Sequence, residues 1–290
     1  MPIRLKTPNR GLLKGARACF LVCAWAAALP AGPTRAAFDH GGLDAILKAR
    51  VDAEGRVDYR GLKGDRAALD AYVARLGRVA PETLNGWSRA DQMAFYLNAY
   101  NAITFQVVID HYPPKGLGLI FPRLSIRNIP GVWDKIRTPV AGAELTLNEI
   151  EHEILRPRFK DARVHAAIVC ASIGCPILRN EAYVGARLEE QLEDAARRFA
   201  RHPEKNAVDP RRRIVTISPI FDWFKEDFES YAEQAPTLKG RRGDAGRWAG
   251  ALGFLIRYGD PAHADFLRGG DYRVRLGDYD WSLNDWGLGE

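Results

Sequence analysis

The chain has 290 residues, with 42 Lys and Arg against 36 Asp and Glu. The excess charge lies wholly in residues 1–36, which carry Arg4, Lys6, Arg10, Lys14, Arg17 and Arg35 and no carboxylate, so the remainder balances at 36 against 36. A neutral remainder argues against a nucleic-acid partner, and no phosphate loop, dinucleotide fingerprint or metalloprotease motif is present.

The basic start is followed by an apolar run over 18–29, then Pro30, then small residues with Thr34 and Ala36 where a signal peptidase reads. This layout predicts a secretory signal peptide over 1–36, cleaved near Ala36, and a periplasmic or secreted product. The run is shorter than the roughly 20 residues a spanning helix needs. No second long apolar run follows, so no membrane span is expected after cleavage. Val22 before Cys23 departs from a lipid-attachment site. Beyond the leader only Cys170 and Cys175 remain; five residues apart in an oxidising compartment, they read first as a disulfide.

Residues 37–290 are expected to form one α+β domain, a buried central helix on a small, mainly antiparallel sheet with surrounding helices. Residues 39–51 read as an amphipathic helix, and 65–76 as another with Leu69, Tyr72, Val73 and Leu76 on one face. Ser88 with Asp91 three later starts the next helix, which runs to about His111 before Pro113 and Pro114. Its apolar residues cover nearly the whole circumference, which places it in the core. Asn98 and Asn101 share one of its sides and must find partners there. The segments 136–140 and 143–145 flank Ala141-Gly142 as a hairpin. Thr146 and Glu149 make a capping box, opening a helix that ends near Pro157. Residues 164–170 read as a buried strand and 171–181 as a loop. Helices over 185–202, 221–233, 245–258 and 261–267 and strands over 213–218 and 272–276 complete the series.

Three polar features interrupt these patterns. Glu151 falls inside the apolar stripe set by Leu147, Ile150, Ile154 and Leu155, with His152 at its edge. A carboxylate there needs a partner or its pKa rises. It either orients a histidine or pairs with an arginine, for which Arg123, Arg127 and Arg163 are available. His165 and Cys170 share the expected strand but face opposite sides of it, so any partner for either comes from another segment. The loop holding Cys170, Ser172, Gly174 and Cys175 is either a functional strand-end loop or a disulfide-pinned surface turn. The spacings of His152, His165, Cys170 and Cys175 match no zinc pattern, and no metal or cofactor is expected.

The residues Phe95-Tyr96-Leu97-Asn98-Ala99-Tyr100-Asn101-Ala102, Ile150-Glu151-His152, Arg163-Val164-His165, Cys170-Ala171-Ser172-Ile173-Gly174-Cys175-Pro176, Ile220-Phe221-Asp222-Trp223-Phe224 and Tyr279-Asp280-Trp281-Ser282-Leu283-Asn284 resemble the family called domain of unknown function 547. The family-like core spans about 85–230. The resemblance implies an exported bacterial protein and brings no catalytic residues with it. A looser likeness, a buried helix followed by a histidine-bearing strand, points to the papain and transglutaminase arrangement, although 87–95 lack the helix cysteine of those enzymes. Two readings of function follow. One is a periplasmic binding or scaffolding module for an envelope ligand or protein, with Trp223, Phe224, Tyr279, Trp281 and Trp286 lining a groove. The other is a hydrolase or acyl transferase acting on envelope peptides or esters. In it Cys170 or Cys175 is the nucleophile, His152 or His165 the base, Glu151 its orienter and Asn98 or Asn101 an oxyanion donor, with Ser172 beside them.

Overall fold

Seventeen of the 22 residues of the helix Arg89–Asp110 are buried, including Phe95, Leu97, Tyr100 and Val108. This helix organises the larger hydrophobic cluster of an α+β fold. The structure is a computed structural model describing residues 36–289; the expected leader, Ala36 apart, lies outside them. The Ser88 side chain accepts from the Asp91 amide at 3.1 Å, so the cap expected from sequence forms. The helices Tyr59–Gly64, Ala67–Gly77 and Leu188–Arg201 and the segment Glu149–Leu155 pack around the central helix.

Strands β1 (Thr138–Val140) and β2 (Ala143–Leu145) pair antiparallel. The turn between them uses Ala141 at φ 50° and Gly142 at φ 80°, the two left-handed residues of the tightest hairpin connection. Thr146 and Glu149 then close the capping box in both directions, at 2.8 and 3.1 Å.

A smaller hydrophobic cluster gathers around β3 (Ala207–Asp209), β4 (Ile214–Ile217) and β5 (Arg273–Leu276). Strand β4 is central, antiparallel to β3 and parallel to β5. The helix Ala249–Tyr258 and the 3-10 segment Lys225–Gln234 pack against each other beside it.

Two sequence expectations need correction. Residues 164–170 are not a strand: Val164–Ala167 is a helical turn, and extended chain follows from Ile168. Asp161 starts the turn, accepting from the Arg163 amide through its side chain and from the Val164 amide through its carbonyl. Among the described residues the extended part has no sheet partner, and Asn101 makes the bonds a neighbouring strand would make. Its amide donates to the Ala167 carbonyl at 3.0 Å and accepts from the Val169 N–H at 2.9 Å. The helix expected over 221–233 is interrupted at Phe224, whose φ of −119° and ψ of 30° separate a short α-helix, Ile220–Trp223, from the 3-10 segment.

Candidate functional site

The capping box opens a π-helical segment, Glu149–Leu155, instead of a plain α-helix. Single π-turns accompany functional sites often enough to make this one informative. Its wider turn carries Glu151 inward beside Tyr100 of the central helix and leaves His152 at the surface. Burial pushes the Glu151 carboxyl up to about 7, with Asp227 adding to the effect; Arg156 and the Tyr100 hydroxyl pull the other way without cancelling it. Glu151 therefore titrates within the physiological range.

The His165 ring bridges two carboxyl groups. Its Nε2 lies 2.6 Å from Asp227 Oδ2 and its Nδ1 lies 3.8 Å from Glu151 Oε1. The ring stacks on Phe224 with centroids 3.9 Å apart. Burial lowers the His165 pKa against the opposing pull of Asp227, so the imidazole is neutral near pH 7. Burial would also raise Asp227, but bonds from His165 and Arg156 outweigh it and hold that carboxyl near 2. Arg156 grips Asp227 with two nitrogens, at 2.6 and 3.2 Å. An ionised Asp227 takes the Nε2–H, which leaves Nδ1 as an acceptor directed at Glu151. His152 ends the chain of contacts, its Nδ1 accepting from Arg156 at 2.7 Å.

The cysteine loop forms the adjoining wall. Cys170 and Cys175 are joined as a disulfide. The Cys170 N–H lies 3.0 Å from Cys175 Sγ, and the Tyr279 hydroxyl lies 3.2 and 3.1 Å from the two sulfurs. The residues around Tyr279 lie along the loop as a strand would: the Ile173 amide bonds to the Ser282 carbonyl, the Gly174 amide to the Asp280 carbonyl and the Asn284 amide to the Ala171 carbonyl. Gly174 is required by this approach, since a Cβ there would stand 2.8 Å from the Tyr279 ring.

These walls enclose a cleft of about 190 Å³. Tyr100, Trp133, Trp223, Phe224, Tyr279 and Trp281 supply its aromatic surface, and Glu151, His152, His165, Cys170 and Cys175 its polar and sulfur groups. Arg127 stands at the rim, stacked over Phe121, Trp133 and Trp281 at 4.4 to 5.6 Å. Among the described residues no carboxylate pairs with it.

Five of the residues singled out from sequence, Glu151, His152, His165, Cys170 and Cys175, thus face one cleft. Three others do not. Asn98 and Asn101 are buried and tied to backbone, Asn98 bonding to both the carbonyl and the amide of Tyr183; neither lines the cleft as an oxyanion donor would. Ser172 is buried, its Oγ occupied by Tyr279 at 3.1 Å and Cys170 at 3.2 Å. The arginine acting on Glu151 is Arg156; Arg163 is taken by Asp161, Glu189 and Glu193. Of the aromatics proposed for a groove, Trp286 lies elsewhere, beside Lys115 and Leu124. Asp227 was not anticipated. It lies in the charged run Lys225-Glu226-Asp227, which reads as solvated surface, and nothing local marks it as the partner of a histidine 62 positions earlier.

The likeness to papain and the transglutaminases rested on a histidine-bearing strand, and His165 lies on a helical turn instead. No curated protein and no solved structure matches the chain. The family model described as "Protein of unknown function, DUF547" matches residues 84–200. That segment holds the central helix, Glu151, His165 and both cysteines, whereas Trp223, Phe224, Asp227, Tyr279 and Trp281 lie beyond it. Over residues 84–200 the chain is similar to the DUF547 family.

Proposed function

We propose that this protein is an exported acid–base enzyme acting on a small anionic molecule with a flat apolar body. The observation that carries the reading is Glu151, a carboxyl facing the cleft, ionising near pH 7 and backed by the His165–Asp227 pair. A catalytic acid or base works best when its pKa lies near the working pH, and paired titrating groups with separated pKa values are a frequent mark of such sites. Glu151 exchanges the proton with substrate, and Asp227 fixes the tautomer of the neutral His165 imidazole, whose Nδ1 stands 3.8 Å behind the carboxyl. Arg127 receives the substrate's negative charge, and the ring-lined wall receives its apolar body.

The test uses a panel of aryl carboxylates, N-acyl amino acids and their esters and amides. Binding is read from the fluorescence of Trp133, Trp223 and Trp281, and turnover by mass spectrometry. Glu151→Gln is expected to keep binding and lose roughly 100- to 10,000-fold in turnover. Undiminished turnover in that variant would overturn the proposal.

A second reading, a pure binding module, is favoured by the sulfur chemistry. With Cys170 and Cys175 joined and Ser172 enclosed, a thiol or serine nucleophile is not at hand, and the thiol-dependent hydrolase alternative requires prior reduction. Under the binding reading the panel yields ligands but no products, and Arg127→Ala weakens them. Export rests on the layout of residues 1–36, with the disulfide as support. N-terminal sequencing of protein recovered from the cell envelope is expected to begin near residue 37, and a retained Met1 would remove that part of the proposal.

A further inference from the structure

The connection after the central helix is a finger whose base is fastened and whose tip is bare. Lys115 pairs with Leu124 as an antiparallel bridge, and the Gly116 amide donates to the Arg123 carbonyl at 2.8 Å. The Asn128 amide sits under this base and donates to the carbonyls of Pro114, Pro122 and Arg123 at 3.0 to 3.2 Å. The tip held out in this way is Leu117, Leu119 and Ile120, exposed to 86, 84 and 85 %. Scattered single apolar residues on a surface need no explanation, whereas a contiguous group on a fastened projection does.

The charges around the finger indicate what covers it. No carboxylate occurs in sequence between Asp110 and Asp134, and this stretch carries Lys115, Arg123 and Arg127. All three are exposed, and none makes an ion pair among the described residues. Trp286, 47 % exposed, shares a surface recess with Lys115 and Leu124. Asp58 and Asp285 line the same recess but are engaged, by Arg50 at 2.8 Å and the Tyr112 hydroxyl at 2.6 Å. Aliphatic tip, basic collar and a tryptophan beside them is the layering of a bilayer surface, in which acyl chains lie beneath anionic headgroups and an indole ring prefers the boundary.

We propose that residues 115–123 are a membrane-docking finger for a bilayer rich in anionic phospholipid, inserting Leu117, Leu119 and Ile120 while Lys115 and Arg123 meet the headgroups. The finger is continuous with the cleft rim, because Arg127 covers both Phe121 at its foot and Trp281 of the cleft wall. Docking therefore sets the cleft mouth against the lipid surface. The inference does not depend on what happens inside the cleft.

The test is co-sedimentation of the full chain with vesicles of phosphatidylcholine alone and of phosphatidylcholine with phosphatidylglycerol. All variants keep the same N-terminus, so residues 1–36 contribute equally to each. The native chain is expected to bind the anionic vesicles more tightly, and less so as salt rises. The exposed triple substitution L117S/L119S/I120S should weaken partitioning on the order of 1,000-fold. K115E and R123E should each cost at least about fivefold, on anionic vesicles only. The substitution I120W should add tryptophan fluorescence that brominated acyl chains quench. Equal binding by the native and triple-substituted chains overturns the proposal. So does a native chain that self-associates through the finger, losing its dimer in the triple variant, while leaving vesicles unbound.

Discussion

Replacing Glu151 by glutamine isolates the one buried carboxyl on which the acid–base reading turns. Its folded-state pKa is near 7 against an ordinary 4.5, and each pH unit of difference is worth about 1.36 kcal/mol. The raised value means that folding disfavours the charged form. Below pH 4.5 the group is protonated in both states and contributes nothing to the balance. Between 4.5 and 7 the unfolded chain ionises first, so stability falls as pH rises; above 7 the penalty is constant at about 3 kcal/mol. Glutamine is close in shape, still accepts from Tyr100 and carries no charge at any pH. Native and E151Q chains should therefore unfold at similar urea concentrations at pH 4.5. At pH 8.5 the variant should be the more stable by about 3 kcal/mol, or roughly 6 to 10 °C in melting temperature. Carboxylates away from the cleft titrate equally in both chains, so the difference between them reports Glu151 and the Asp227 coupled to it. A difference that stays constant from pH 4.5 to 8.5 would refute the claim that this carboxyl ionises late and remove the basis for its catalytic role.

Three further outcomes are expected. In D227N the negative charge that helps raise Glu151 is gone, so the Glu151 titration followed by carbon NMR should move below 7, with His165 losing its fixed tautomer. Asn101→Ala leaves the Ala167 carbonyl and Val169 N–H unpaired in the interior and should cost about 2–4 kcal/mol in urea unfolding. Reducing the disulfide, which closes a loop of only six residues from Cys170 to Cys175, should lower stability by about 2 kcal/mol on the chain-entropy estimate, measured with and without dithiothreitol.

What was legible in the sequence was local. The circumferential hydrophobicity of 93–109, the Ser88 cap, the Thr146–Glu149 box and the Ala141-Gly142 turn each act over a few residues, and each forms as its chemistry requires. Glu151 was conspicuous because a charge in an apolar stripe is a local contradiction. The misread segment, 164–170, fails for a distant reason. Its β-branched residues do run extended from Ile168, but one amide side chain 66 residues earlier takes the role of a neighbouring strand. The π-turn is likewise invisible, since the capping box and the apolar stripe of Glu149–Leu155 suit an ordinary α-helix equally well. Asp227 is the clearest loss: in a run of charged residues nothing distinguishes the one that meets a buried imidazole.

The stretch from Tyr279 to Asn284 lies against the cysteine loop although more than a hundred residues separate them. The cleft is consequently a joint product of distant parts of the chain. A fragment trimmed to 84–200 would keep the acid, the imidazole and both sulfurs, yet it would lack Phe224, Asp227, Tyr279 and Trp281. Screening such a fragment for ligands would sample an opened trough with an unanchored histidine, and silence there would say nothing about the intact protein.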